Sequence, residues 1–443
     1  MKTHSLRLIA LALFCACFLA AQPADDTQLK QVIIFGRHGV RSPVAPASLL
    51  NTFSAQPYPG FNAAQLALLT QTGYLTPNGV ALETILGGYY RLWLTQEGLL
   101  TGNDSADANF VYFHANAIER TVGSAKALWA GMLPAANVNV QFLTPSTASD
   151  PLFDPVGAGV ARLNQQMAIA AVMGRLGNNP QSLASTYGPE LALTRSILFG
   201  YPASQTPAPQ TPAGKVDVTT IPIEVTAASM PVNITGLTEV AAAIDPFIME
   251  YADAQPASQV GWGQLTVDGI SQTSRINNLL FDLELRTPYL DRALSSNVAS
   301  HVVRSMVQAA TGNAMTGSLG NPSTKAIVLI ASDVNITGLA GLFHLDWLLP
   351  GYQADFCSPG GALVFELRQS QSTGEYIVRA SYVAQTLDQL RNKAALTLSA
   401  PPASAPVFIP NCSVGNATFD CPLANFVAVA NQVIDPSSAD LMN

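Results

Sequence analysis

The segment Arg37-His38-Gly39-Val40-Arg41-Ser42-Pro43 directly follows the apolar run Val32-Ile33-Ile34-Phe35. An unbroken run of branched and aromatic residues reads as a strand buried on both faces. Parallel sheets present their chemistry just past the carboxyl ends of such strands. The juxtaposition therefore constrains the chain to an α/β fold with a functional loop after its first strand. Arginine offers a planar fork of donors that matches phosphate oxygens in pairs, and a neutral, well-aimed imidazole is a good nucleophile. The string describes a loop that holds a phosphoryl group between Arg37 and Arg41 while His38 attacks it. The competing reading is an ordinary basic loop in which Gly39 only serves a turn. Against it stands the scarcity of cations, 21 Lys and Arg in 443 residues.

The first residues have the pattern of a cleavable export signal. Lys2 and Arg7 precede the apolar stretch Leu8 to Ala21, which is short for a membrane span, and residues 1–21 are expected to be removed. A periplasmic or secreted location follows. Cys17 raises a lipoprotein reading, which the preceding Phe14-Cys15-Ala16 fits poorly. No later apolar run is long enough to span a bilayer, so no membrane association is expected after cleavage. A net charge of −8 argues against nucleic-acid partners, and a hydrophobic content of 48% excludes general disorder. Three cysteines remain beyond the leader: Cys412 and Cys421 read as a small disulfide loop in an exported chain, and Cys357 is left over as a partly buried free thiol. No His/Cys cluster has metal-ligand spacing.

Along the chain, residues 76–100 place Leu82, Ile85, Leu86, Tyr89 and Tyr90 at helical spacing after Thr76-Pro77. Phe110–Phe113 reads as a second strand and Thr121–Leu133 as a helix. The block 151–264 changes character, with helical patterns at 163–176, 189–199 and 239–254 around the Pro/Ala/Thr-rich loop 202–214. It reads as a mainly helical insertion between two parts of an α/β domain, 28–150 and 265–443. The α/β pattern resumes with helices at 276–285 and 289–311, a buried strand at 326–330, and an antiparallel pair at 361–367 and 376–380 turning near 372–374.

Two further loops follow strands. Arg120, in Glu119-Arg120-Thr121, lies at a loop-to-helix junction, where backbone amides also favour an anion; the alternative is a helix-start arginine in a surface pair. Ser332-Asp333 ends the strand at 326–330. Asp333 is placed to serve the leaving oxygen of a phosphate ester, or else caps a helix that begins near Ile336.

Taken together, these motifs resemble the histidine acid phosphatase family, in its bacterial periplasmic phytase and glucose-1-phosphatase branch. The likeness extends beyond residues 37–43 to Leu75-Thr76-Pro77-Asn78-Gly79, Asp150-Pro151-Leu152-Phe153, Gly261-Trp262-Gly263, Arg286-Thr287-Pro288 and Pro359-Gly360-Gly361. The resemblance implies a phosphoglycerate-mutase-like α/β sandwich domain with an inserted helical domain. It puts the nucleophile at His38, phosphate-binding arginines at Arg37, Arg41 and Arg120, and the proton donor at Asp333. It also puts Arg286 near the substrate, where the other reading is a helix-end surface arginine. It implies no metal or cofactor, and a small phosphate monoester as the partner.

One position departs. The family normally has His-Asp where this chain has Ser332-Asp333, and Ser332 brings a hydroxyl donor but no charge. His344, further along the chain, could reach the site in its place, but the expected helix carries it away. The expected activity is acid hydrolysis of phosphate monoesters, phytate or smaller, through a phosphohistidine. The alternative is a protein of the same fold that binds phosphorylated ligands with weak or no turnover because of Ser332.

Overall fold

The structure is a computed structural model that describes residues 25–59, 72–145, 149–228 and 232–440. The expected leader, residues 1–21, lies outside the described residues. The strands are β1 (Thr27–Arg37), β2 (Val111–Ala115), β3 (Val140–Gln141), β4 (Val225–Ala227), β5 (Val232–Ile234), β6 (Ala326–Ala331), β7 (Ala362–Ser370), β8 (Tyr376–Ala384), β9 (Ala403–Val407) and β10 (Cys421–Pro422). All but β4 and β5 join one sheet, in the order β10-β8-β7-β1-β6-β2-β3, with β9 also on β8. β1, β6, β2 and β3 run parallel, while β7 is antiparallel to β1. The fold is thus a mixed α/β sheet flanked by helices.

Strand alternation divides the core. Ile33 and Phe35 face a cluster that includes Val298 and Val302 of helix Pro288–Thr311, Ile336 and Leu339 of helix Asp333–Phe343, and Phe426. Val32 and Ile34 face Leu86 and Tyr90 of helix Pro77–Gln96 and Leu128 and Trp129 of helix Glu119–Met132. The split is the two-residue period of a strand covered on both sides. Each such side chain contributes about 1.5–3 kcal/mol of transfer free energy. The last two helices approach closely, because a Cβ on Gly87 would lie 2.1 Å from the Leu128 carbonyl and one on Gly131 would lie 2.0 Å from that of Thr84.

The block 151–264 contains helices Gln165–Arg175, Gly188–Phe199 and Leu237–Ala252, and also the β4–β5 hairpin, which periodicity did not suggest. These elements share an apolar cluster with Ile276, Leu280 and Leu283. The helix carrying those residues starts at Val267 rather than near Ile276, capped by Thr266 accepting from Gly269 N. Its first turns bury Thr273 and Ser274, whose hydroxyls bond back to the Ile270 carbonyl. A buried face built partly from hydroxyls does not register as apolar periodicity. Cys412 and Cys421 form a disulfide, and Cys357 is a buried free thiol. No helix among the described residues is long and apolar enough to cross a membrane.

Candidate active site

Register gathers the site. Arg37 is opposite Ala331 and Ala115 is opposite Ile330, so the parallel strands β1, β6 and β2 end at one sheet edge. The antiparallel β7 begins at that same edge. The pairing continues past the strands, with His38 N donating to the Ala331 carbonyl (3.0 Å), Arg37 N to that of Gly361 (2.8 Å) and Gly360 N to that of His38 (3.1 Å). The loop holding His38 is therefore anchored on both sides by backbone.

His38 is 1% exposed, and its Nδ1 lies 2.9 Å from the Gly39 carbonyl. A carbonyl only accepts, so Nδ1 carries the hydrogen and the neutral ring keeps its lone pair on Nε2. Burial holds the imidazole well below its ordinary 6.5, and the charges of Arg37, Arg41 and Arg120 push the same way. All three guanidiniums therefore lie near enough to act on the ring electrostatically.

Arg37 donates from Nη1 to the Cys357 carbonyl at 2.6 Å and pairs through Nη2 with Asp333 Oδ2 at 2.7 Å. Arg41 is clamped by both oxygens of Asp245, each at 2.8 Å. Arg120 is brought down to about 10, first by burial and then by Arg41. The Nε atoms of Arg37, Arg41 and Arg120 are all buried with no hydrogen-bond partner among the described residues. Buried donors are rarely left unpaired, so the three Nε groups mark Arg37, Arg41 and Arg120 as a candidate anion site.

Asp333 opens helix Asp333–Phe343, and its Oδ1 accepts from Val334 N at 3.0 Å. Five sequence-derived positions, His38, Arg37, Arg41, Arg120 and Asp333, thus share one electrostatic cluster. This edge arrangement, built on Arg37-His38-Gly39-Val40-Arg41, has counterparts of known family. The model of the histidine phosphatase superfamily (branch 2) matches residues 28–383.

The chain belongs to that family.

Phytase AppA of Escherichia coli is 28% identical to this histidine phosphatase over 423 residues, 94% of each chain. Glucose-1-phosphatase of Salmonella typhimurium is 26% identical, covering 96% of this chain and 98% of its own. Among solved structures, the Hafnia alvei phytase in complex with tartrate superimposes with a TM-score of 0.82 at 28% identity, over 95% of this chain and 100% of its own. The same enzyme in complex with myo-inositol hexakis sulphate gives a TM-score of 0.81.

Two positions sit differently from the sequence reading. Ser332 Oγ donates to Asn335 Oδ1 at 2.8 Å, and Asn335 in turn donates to the Phe153 carbonyl at 2.6 Å. The hydroxyl hydrogen thus points into the helix cap, away from the role of a phosphate donor. The guanidinium of Arg286 bonds the Leu345 carbonyl and pairs with Asp346 and, at 3.3 Å, with Asp355. None of its bonds among the described residues reaches the cluster. His344 is an exposed C-cap, carried off by the helix as expected.

Three residues of this histidine phosphatase were not found by sequence reasoning. Asp245 lies mid-helix, where the available signal was a lone charge in the apolar run Val240–Met249, just before Pro246. Ser124 accepts from Gly39 N at 2.8 Å and donates to the Arg120 carbonyl at 2.7 Å, tying the His38 loop to the third arginine. Glu83 is 2% exposed and its Oε1 lies 2.8 Å from where a Cβ on either Gly39 or Gly360 would sit. A charged residue within the apolar pattern of helix Pro77–Gln96 was the available signal for Glu83.

Proposed function

We propose that the protein is an acid phosphomonoesterase that works through a phosphohistidine at His38. The observation that carries this reading is the buried, Nε2-unprotonated imidazole within electrostatic reach of three arginines with unpartnered Nε donors. In the first step Nε2 attacks phosphorus, the P–O bond to the alcohol breaks, and protonated Asp333 delivers its proton to the departing oxygen. Arg37, Arg41 and Arg120 stabilise the charge that develops on the remaining oxygens. In the second step water attacks phosphorus, the P–N bond breaks, and Asp333 takes the water's proton. Inorganic phosphate leaves and His38 is neutral again.

The named phytases and glucose-1-phosphatases support phosphate monoesters as the substrate class, phytate or sugar phosphates among them. Residues 151–264 act in this reading as an insertion that reaches the cluster through Asp245. The signal-like residues 1–21 support export to the periplasm or beyond. The test is phosphate release from an aryl phosphate between pH 3 and 8, with His38→Ala alongside. Turnover in acid that vanishes in the variant, together with acid-labile, base-stable labelling of the protein by phosphate, is the expected result. A folded wild type without turnover would instead favour a phosphorylated-ligand binder, the reading that the cap-bound Ser332 hydroxyl supports.

A further inference from the structure

Helix Pro77–Gln96 is fitted closely to the His38 loop. Thr76 N, at its start, donates to the Val40 carbonyl at 3.0 Å, and a Cβ on Gly79 would lie 2.2 Å from the same oxygen. One turn on, on the same face, is Glu83, buried and with no hydrogen bond to its carboxyl among the described residues. Its Oε1 fills the angle between two glycines, since a Cβ on either Gly39 or Gly360 would lie 2.8 Å from it. Both glycines bond His38 through their backbone. The Gly39 carbonyl takes the Nδ1 hydrogen at 2.9 Å, and Gly360 N donates to the His38 carbonyl at 3.1 Å. The surroundings offer the carboxyl no counter-charge. The segment Ser358–Gly361 has no titratable residue, helix Glu119–Met132 meets Gly39 through the Ser124 hydroxyl, and the loop contributes His38, held neutral. On its own helix, Tyr90 has a buried hydroxyl that is likewise unpartnered among the described residues. None of the arginines offsets the burial, which alone raises the Glu83 carboxyl to about 8.

We propose that Glu83 is a positioning residue that switches the site off in alkali: its neutral carboxyl, wedged behind Gly39 and Gly360, holds the His38 imidazole on the Gly39 carbonyl, and its ionisation releases the loop and the aim of Nε2. The proposal rests on the phosphohistidine reading and adds a control to it. A buried carboxylate without a donor is costly, so an ionised Glu83 has to gain water or a new partner. The helix is fixed by its own ladder of hydrogen bonds, and the loop, held by single bonds to Gly360 and Ser124, is what gives way. The hydrogen bonds that hold Arg37 and Arg41 do not involve Glu83, so the arginine cradle still binds substrate while turnover falls. Displacing a reacting group by about 1 Å costs about a hundredfold in rate.

Glu83→Gln keeps the shape and cannot ionise. The assay is kcat and KM between pH 5 and 10 for an aryl phosphate with a weakly basic leaving group, whose departure does not need the Asp333 proton. A readout independent of turnover is the NMR resonance of the His38 Nδ1 proton, assigned by its absence from His38→Ala. In the wild type, kcat is expected to fall at least about tenfold through a midpoint of about 8, with KM constant within about twofold. In Glu83→Gln, kcat is expected to stay level over the same range. The Nδ1 proton resonance is lost over that interval in the wild type and kept in the variant. Parallel profiles in the two proteins, or a Glu83→Gln inactive at pH 5 as well, would overturn the proposal and leave Glu83 as packing. If Glu83→Gln melts below assay temperature, Glu83→Met, uncharged and of similar length, is measured against the same criteria. Should the wild type turn over no ester, the phosphohistidine reading fails, and the Nδ1 resonances of the two proteins decide the role of Glu83 without it.

Discussion

Arg37 Nη2 lies 2.7 Å from Asp333 Oδ2, joining the residue before His38 to the carboxyl group that opens helix Asp333–Phe343. The contact crosses from β1 to β6, whose register sets Arg37 against Ala331. The carboxyl group is thus held beside the arginine cluster by one of its arginines.

Replacing it with an amide keeps the shape and removes the proton. Asp333→Asn is predicted to lower kcat/KM by about 10²–10⁴ for an alkyl phosphate, the usual range for a general acid. The loss should be at least tenfold smaller for an aryl phosphate with a weakly basic leaving group, because that oxygen departs without protonation. Equal losses on both esters would rule against Asp333 as the acid.

The pH profile tests His38. Its folded-state proton affinity is depressed, mainly by burial and then by Arg37, Arg41 and Arg120. The imidazole therefore stays neutral as pH falls through 6.5, the ordinary value, and protonates only well below it. The predicted acid limb of kcat/KM shows no titration near 6.5. A limb with its midpoint there would show a His38 exposed to solvent and uninfluenced by the arginines.

Ser332 gives a prediction of gain. Its hydroxyl is bound to Asn335 Oδ1, so it contributes no hydrogen bond to the cradle. Ser332→His supplies the donor that the family normally has. Since a preorganised donor at a developing anion is worth about 10²–10³ in rate, kcat should rise at least tenfold at pH 5. Loss of the serine at the helix start should cost about 1 kcal/mol of stability, measured as a lower melting temperature of the same variant.

Glu83 couples stability to pH. Burial raises its carboxyl from 4.5 to about 8. The sign follows from proton counts: between these values the unfolded chain has released the proton and the folded chain has not. Stability therefore falls as pH rises from 4.5 to about 8. Glu250, raised to about 8 by burial, adds to the same trend. Glu83→Gln should leave the melting temperature at pH 4.5 nearly unchanged and raise it by a few degrees at pH 8. A parallel shift of the whole melting curve at every pH would refute the assignment.

Much of this was legible in the sequence because it is local. Val32 to Phe35 shows an unbroken apolar run, and Arg37, His38 and Arg41 follow within one loop, so strand, strand end and site are adjacent in the chain. The same adjacency placed Arg120 after β2 and Asp333 after β6. Once the three strands are parallel, their ends must meet at one edge. Less was legible where side chains act across the fold. Asp245 clamps Arg41 from 204 residues away, and a lone charge in an apolar helix does not say which residue it pairs with. Ser124 and Glu83 read as helix residues, and only the packing of helices Pro77–Gln96 and Glu119–Met132 under the His38 loop sets them against Gly39. Ser332 could have turned to the cradle or to the cap, and Asn335, held by Phe153, turned it to the cap. The sequence by itself determined the order of strands and loops and the residue types delivered to the sheet edge, because backbone periodicity and loop position are short-range. Tertiary structure alone decided which charges remain unpaired there, because ion pairing depends on distances that only packing sets.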